Sequence, residues 1–211
     1  MEITWLGHSC FKIKGKEVTL VTDPFDESIG YPLGKLTANI TTLSHHHSGH
    51  SYESVVEDSP KVLSRPGEYE IGGVFLTGIG TFHDDEQGEN RGKNTIYLME
   101  MDDIRLCHLG DLGHVPSPRQ IEDLGNIDVL FIPVGGVSTI DAITAAEVVR
   151  FLNPRIIIPM HYRTEVVTWL EPLGRFLKEM GLKEVEPQPK VYITRSNLPS
   201  ETQVIALSVA I

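Results

Sequence analysis

The chain has 211 residues, 40% hydrophobic and 22% charged, a globular balance that excludes disorder, collagen and coiled coil and fits one domain over residues 1–211. Lys plus Arg number 18 and Asp plus Glu 29, a net charge of −11, so the chain has no basic surplus for binding nucleic acid or an anionic membrane. Nine His stand out in so acidic a chain.

The opening Met1-Glu2-Ile3-Thr4-Trp5 passes straight into a strand pattern, with no basic stretch ahead of an apolar one, so no secretory signal is expected. Apolar runs such as Val129-Leu130-Phe131-Ile132 are far too short to span a bilayer. Cys10 and Cys107 both lie in apolar runs, and two Cys do not make a disulfide framework. Buried free thiols in a cytoplasmic protein are expected.

In chain order, residues 3–6, 10–14 and 17–22 read as strands, with Gly15 marking a hairpin. Residues 39–43, 74–77, 95–101 and 104–109 read alike, with Asp102-Asp103 as a tight turn between the last two. Asp84 to Gly92 form a polar loop. Ser117 caps a short helix that starts at Pro118 and carries Ile121 and Leu124. Asp141 caps a second, whose apolar face is Ala145, Val148, Val149 and Leu152, and Asn153-Pro154 stops it. The third is expected over residues 168–180, closed by Gly181. Residues 128–134 and 155–160 read as fully buried strands between these helices, and 191–194 and 203–209 as closing strands.

The chemistry concentrates in Leu43-Ser44-His45-His46-His47-Ser48-Gly49-His50, which follows a strand. In extended backbone His45 and His47 share a face and can converge on one ion, and His50 can approach it after a turn. Three more apolar runs end in a ligand-type residue: His83 after Gly80-Thr81-Phe82, Asp111 after Leu106 to Gly110, and His161 after Ile156 to Met160. Any one of these alone is ordinarily structural. Strand C-termini in layered folds lie along one edge, so His45, His47, His50, His83, Asp111 and His161 are expected to meet there.

Beyond the His segment, the chain resembles the metallo-β-lactamase superfamily, specifically its small Zn-dependent hydrolase-like branch. The resemblance runs through Trp5-Leu6-Gly7-His8-Ser9-Cys10-Phe11, Val21-Thr22-Asp23-Pro24, Pro66-Gly67-Glu68-Tyr69-Glu70, Gly110-Asp111-Leu112-Gly113, Ile132-Pro133-Val134-Gly135-Gly136 and Pro159-Met160-His161-Tyr162. It implies an α+β, four-layer αββα sandwich with a metal site at one edge of two packed sheets. It implies His45, His47 and His83 on a first ion, with Asp111 bridging to a second ion that His50 and His161 also hold. Asp111 and His50 thereby take the catalytic positions. The departure is at residue 49. The superfamily motif is H-x-H-x-D-H, and here Gly49 stands in place of the Asp that holds the second ion. The first site is complete; the second keeps three protein ligands at most and is expected to bind more weakly.

The resulting expectation is a metal-dependent hydrolase that uses a metal-bound hydroxide on a small ester, lactone or phosphodiester. Zn²⁺ suits the neutral imidazole set best, while Mn²⁺ and Fe²⁺ also fit a His/Asp site. The alternative is a metal-binding domain with weakened or lost catalysis, which Gly49 favours; a nuclease is disfavoured by the charge. Arg91, Lys93 and Arg163 are the cations nearest the ligands in sequence and would serve an anionic substrate, although surface charge is their default. His46 is expected to face solvent, with Asp84 and Asp85 as further substitutes for the missing carboxylate. Asp23 either caps a turn before Pro24 or hydrogen-bonds a ligating imidazole. His108 is expected to be buried and hydrogen-bonded, Tyr69 and Tyr162 to pack, and His8 and His114 have no ligand role.

Overall fold

The computed structural model describes residues 1–58 and 60–210. In chain order the strands are β1 (Glu2–Gly7), β2 (Cys10–Lys14), β3 (Thr19–Thr22), β4 (Leu36–Thr37), β5 (Ile40–Thr42), β6 (Val56–Glu57), β7 (Lys61–Leu63), β8 (Gly67–Ile71), β9 (Val74–Phe82), β10 (Lys93–Met101) and β11 (Ile104–His108). Helix α1 (Pro118–Leu124), β12 (Val129–Pro133), α2 (Ala142–Leu152), β13 (Ile156–Met160), α3 (Leu173–Glu179), β14 (Val191–Tyr192) and β15 (Gln203–Val204) follow.

Two mixed sheets form the body. One has the order β14-β1-β2-β3-β5-β7 and the other β15-β13-β12-β11-β10-β9-β8, with β4 and β6 as a small separate pair. The alternation of β1 buries Ile3 and Trp5 and half-exposes Glu2 and Thr4, as one packed face requires. All five residues of β12 and of β13 are buried, because these central parallel strands are covered on both faces. Phe11 of the first sheet meets Phe131 of the second with ring centroids 4.6 Å apart, which fixes the sheets face to face. The helices pack on the far side through Leu124, Val148, Leu152 and Phe176, all members of the same apolar cluster. Over the outer face of the first sheet, Cys10 and Val21 are covered by a smaller cluster: Phe25, Tyr31, Leu36, Val56, Val167 and Leu170. That layer is made of loops, 3-10 turns and the small β4–β6 pair.

The helix caps follow the sequence. Ser117 accepts from the Gln120 amide and Gln120 returns a side-chain oxygen to the Ser117 amide, and Asp141 accepts from the Thr144 amide. Asp102 and Asp103 both have positive φ, the geometry of a tight hairpin turn. The third helix is shorter than expected and begins at Leu173. Pro172 disfavours helical backbone at Glu171, and the preceding residues form a loop that Arg163 holds by donating from Nε to the Leu170 carbonyl, 2.7 Å away. Strand β9 runs five residues beyond the expected end, through Gly78 and Gly80, which mask its pattern. A Cβ on Gly78 would lie 2.9 Å from the Arg65 carbonyl oxygen, so the strand needs glycine where another segment crosses it.

Phe131→Ala should remove the central inter-sheet contact and lower stability by about 3–5 kcal/mol, whereas Ser117→Ala at an exposed cap should cost only about 1 kcal/mol. Urea unfolding of both variants checks the contrast; equal losses would mean that the sheets are not held by this contact.

Candidate metal centre

Pairing directions place the C-terminal ends of six strands on one edge. In the first sheet β1, β3 and β5 run the same way; in the second, β9, β11 and β13 do. The residues just beyond them are His8, Asp23 and His45, and His83, Asp111 and His161. Backbone hydrogen bonds sew the two rims together: the His161 amide donates to the His8 carbonyl (3.1 Å) and the Thr95 amide to the Ser44 carbonyl (2.8 Å).

Asp111 is the focus. Its Oδ2 lies 3.2 Å from His50 Nε2 and 3.3 Å from both His83 Nε2 and His161 Nε2. Ser9 Oγ donates to its Oδ1 at 3.3 Å. Its amide donates to Asn94 Oδ1, while Asn94 Nδ2 donates to the Leu109 carbonyl and to Thr81 Oγ1. Gly110 makes this turn possible: its φ is +59°, and a Cβ would lie 2.4 Å from Asn94 Oδ1.

Beneath the imidazoles lies Asp23. Its Oδ2 faces His50 Nδ1 at 3.2 Å and accepts from Ser44 Oγ at 2.5 Å; its Oδ1 accepts from the Ser44 amide. Ser44 Oγ is also 2.9 Å from His45 Nδ1. One buried carboxylate thus orients two imidazoles, the arrangement that aims the other ring nitrogen at an ion. His45 Nε2, the nitrogen left over, is buried and has no hydrogen-bond partner.

The six expected residues converge. Nitrogens of His45, His47 and His83 lie within 4.8 Å of one another, and the His50 and His161 nitrogens lie across Asp111. His8, expected to have no such place, is brought to the centre: its nitrogen lies within 4.8 Å of those of His50 and His161. The signal was legible, since His8 follows an apolar strand as His83 and His161 do. Asp84 does not substitute for the missing carboxylate. Its oxygens accept from the amides of Glu86, Gly88, Asn90 and Arg91 and so shape the loop they stand in. His46 is exposed. His108 is fully buried with Nε2 2.9 Å from the Ser9 carbonyl, and His114 Nε2 accepts from the Phe82 amide and braces the strand before His83. Tyr162 packs on Trp5, and Tyr69 donates to the Arg65 carbonyl. Arg163 is spent on its own loop.

A cleft of about 880 Å³ opens beside His45, His46 and His47, and Arg65, Arg91 and Lys93 line it. A larger cleft of about 1,070 Å³ lies at the opposite edge around Arg105, Asp128 and Arg155; it contains no His, and Asp128 is paired with Arg195 and Arg155. The chemistry sits with the smaller one.

The donor set fits a divalent cation. Burial, followed by the neighbouring His50, pulls the His45 pKa down to about 3, so the ring is a neutral ligand at ordinary pH. Burial likewise lowers His8, His47 and His108. Burial alone would lower His50 too, but the Asp111 charge and hydrogen bonds to Asp111 and Asp23 carry it up to about 10. Asp111 is held well below the carboxylate range: burial opposes this, and His161 and His50 outweigh it. In the protein without metal, the His50 imidazolium does part of what a cation would do.

The family model for the beta-lactamase superfamily domain matches residues 2–161. The chain is 30% identical over 189 residues to the UPF0173 metal-dependent hydrolase of Methanoculleus marisnigri, covering 78% of this chain and 82% of that one. It is 29% identical over 196 residues to the counterpart from Desulforamulus reducens, covering 78% and 85%. Among solved structures, it is 40% identical, with a TM-score of 0.82, to a candidate Zn-dependent hydrolase of the metallo-beta-lactamase superfamily from Thermotoga maritima, over 98% of this chain and 97% of that one.

Without metal, stability should peak near pH 6.5. Acidification from about 6.5 to 3 protonates His45 in the unfolded chain before the folded one, and so favours unfolding. Between about 6.5 and 10 only folded His50 keeps its proton, so stability falls as pH rises. Urea midpoints from pH 4 to 10 in chelator should trace this dome, and Zn²⁺ should remove the alkaline decline. A flat profile from pH 7 to 10 in chelator would contradict a protonated His50.

Proposed function

The chain belongs to the metallo-β-lactamase superfamily of metal-dependent hydrolases, and from that membership we propose that it hydrolyses a small anionic ester, lactone or phosphodiester. The observation that carries this reading is the Asp111 carboxylate, ringed by three imidazole nitrogens within 3.3 Å, beside the unpartnered Nε2 of His45. In this proposal His45, His47 and His83 hold a first ion, Asp111 is shared, and His50 and His161 face a second. Zn²⁺ matches the neutral imidazole donors best, with Mn²⁺ and Fe²⁺ also accepted. When bound, a divalent ion supplies a Lewis acid and lowers the pKa of water in its coordination shell to about 7.

The chain's own residues supply the rest. Asp23 and Ser44 hold the His50 and His45 rings in orientation. Arg65, Arg91 and Lys93 are exposed at the cleft, and none of them is in an ion pair among the described residues. Cations without an ion-pair partner on one rim, of which Arg91 also donates to the Val137 carbonyl at 3.2 Å, favour an anionic small molecule in a chain of net charge −11. The reading includes a cytoplasmic location, supported by two buried free Cys. No helix among the described residues is long and apolar enough to cross a membrane. The second reading, a metal-binding domain with lost catalysis, rests on Gly49.

The Zn²⁺-loaded chain should turn over at least one substrate in a panel of esters, lactones and phosphodiesters. Chelation, His45→Ala or His47→Ala should each reduce turnover to background. Activity that survives the loss of both His would overturn metal catalysis. A loaded chain inert on the whole panel would favour the binding-domain reading. Arg91→Ala and Lys93→Ala should each raise KM for anionic substrates by roughly 2- to 5-fold and leave neutral ones unchanged, the scale of an exposed charge contact.

A further inference from the structure

Position 49 departs from the superfamily motif, and the structure sets an imidazole beside it. The Gly49 backbone does not lie in the left-handed region, so its conformation does not call for glycine. What borders it is the side chain of Ile29 and the ring of His8. A Cβ there would lie 3.4 Å from His8 Nε2, 3.5 Å from His8 Cδ2 and 3.0 Å from Ile29 Cδ1. A side chain at this position would therefore stand directly against the His8 ring. The imidazole that borders position 49 comes from the end of β1.

His8 is built into this position. Its φ is +52°, an uncommon conformation for a non-glycine residue, and it turns the chain at the end of β1. Trp5 Nε1 donates to its carbonyl at 3.0 Å, and the His161 amide donates to the same oxygen at 3.1 Å. Its ring centroid lies 4.2 Å from that of His161 and 4.7 Å from that of His50. The side chain is buried, yet Nδ1 has no hydrogen-bond partner. A buried polar atom without a partner is unfavourable, and one held on uncommon backbone beside two other imidazoles is placed as a ligand would be.

We propose that His8 is a ligand of the second metal ion and replaces the carboxylate missing at Gly49, so that this ion is held by His8, His50, His161 and the shared Asp111. The proposal rests on the metal-dependent reading above. It revises the weak second site expected from the motif, because the ligand count is restored from a different strand. Exchanging a carboxylate for an imidazole leaves the ion pair one charge more positive. It also gives the second ion a nitrogen-rich set that suits Zn²⁺ better than Mn²⁺.

The test is metal binding by the full-length chain, stripped with chelator, then titrated with Zn²⁺ by calorimetry and with Co²⁺ by absorbance. Wild type is expected to take two ions. His8→Ala should keep the ion at His45, His47 and His83 and weaken the other by more than about 100-fold, beyond the ~10–100-fold that follows loss of a group that only orients a ligand. His8→Phe should lose the same ion while keeping a ring in the space, which separates ligation from packing and covers a poorly folded alanine variant. Gly49→Asp alone should not tighten the second ion. In His8→Ala/Gly49→Asp the vacated volume admits the carboxylate, and the second ion should return. Second-ion affinity unchanged in both His8 variants, or a single ion in wild type that is indifferent to His8, would overturn the proposal and leave the metal-dependent reading standing. A wild-type chain that binds neither Zn²⁺ nor Co²⁺ would overturn both.

Discussion

A carboxylate buried in protein is among the more expensive things a fold can contain, and the metal edge is arranged around one. Asp111 is 2% exposed, and desolvating such an ion costs several kcal/mol. The charge is tolerated because three imidazole nitrogens and a Ser hydroxyl are fixed around it, while the residue's own amide is anchored on Asn94. Each of these groups comes from a different part of the chain, so the carboxylate dictates which strand ends must meet. Asp23, also fully buried, repeats the logic one layer down by organising Ser44, His45 and His50. Neither carboxylate contributes to an apolar core; both are sustained by the framework that the core makes rigid.

The rim pays for this convergence in backbone strain. His8, Asp23 and His161 all adopt positive φ, and each stands directly after a strand that feeds the site. Such conformations cost of order 1–3 kcal/mol each. They persist because the strands behind them are buried in the main apolar cluster, through residues such as Trp5, Leu20 and Ile158. Two sheets with three strand ends apiece yield a site with an internal regularity: each strand places a titratable group within three residues of its end, and the segment after β5 adds His47 and His50.

Much of this was legible in the sequence, for identifiable reasons. Strands with alternating or continuous apolar residues announced themselves, as did helices with a cap at Ser117 or Asp141, because those signals are local. The six metal-edge residues were legible because each of four segments ends an apolar strand or follows one. His8 obeys the same rule and was passed over because nothing nearby in sequence resembles a ligand motif. Its relevance depends on Gly49, some forty residues away, which only the fold brings against it. The helix expected over residues 168–180 begins only at Leu173, because Leu170, which stands at helical spacing from Leu173, serves the outer layer instead. Asp84 looked like a spare ligand because its four amide partners all lie downstream in a loop with no periodic pattern.

The bond from the His161 amide to the His8 carbonyl joins positions about 150 residues apart. It ties the first strand of one sheet to a late strand of the other at the point where the imidazoles converge. During synthesis the rim therefore stays open until β13 has left the ribosome. Until then the early His-rich segment presents at most a partial set of donors. The donors around Asp111 are therefore completed late in chain order, although His45, His47 and His83 are all present once β9 has ended.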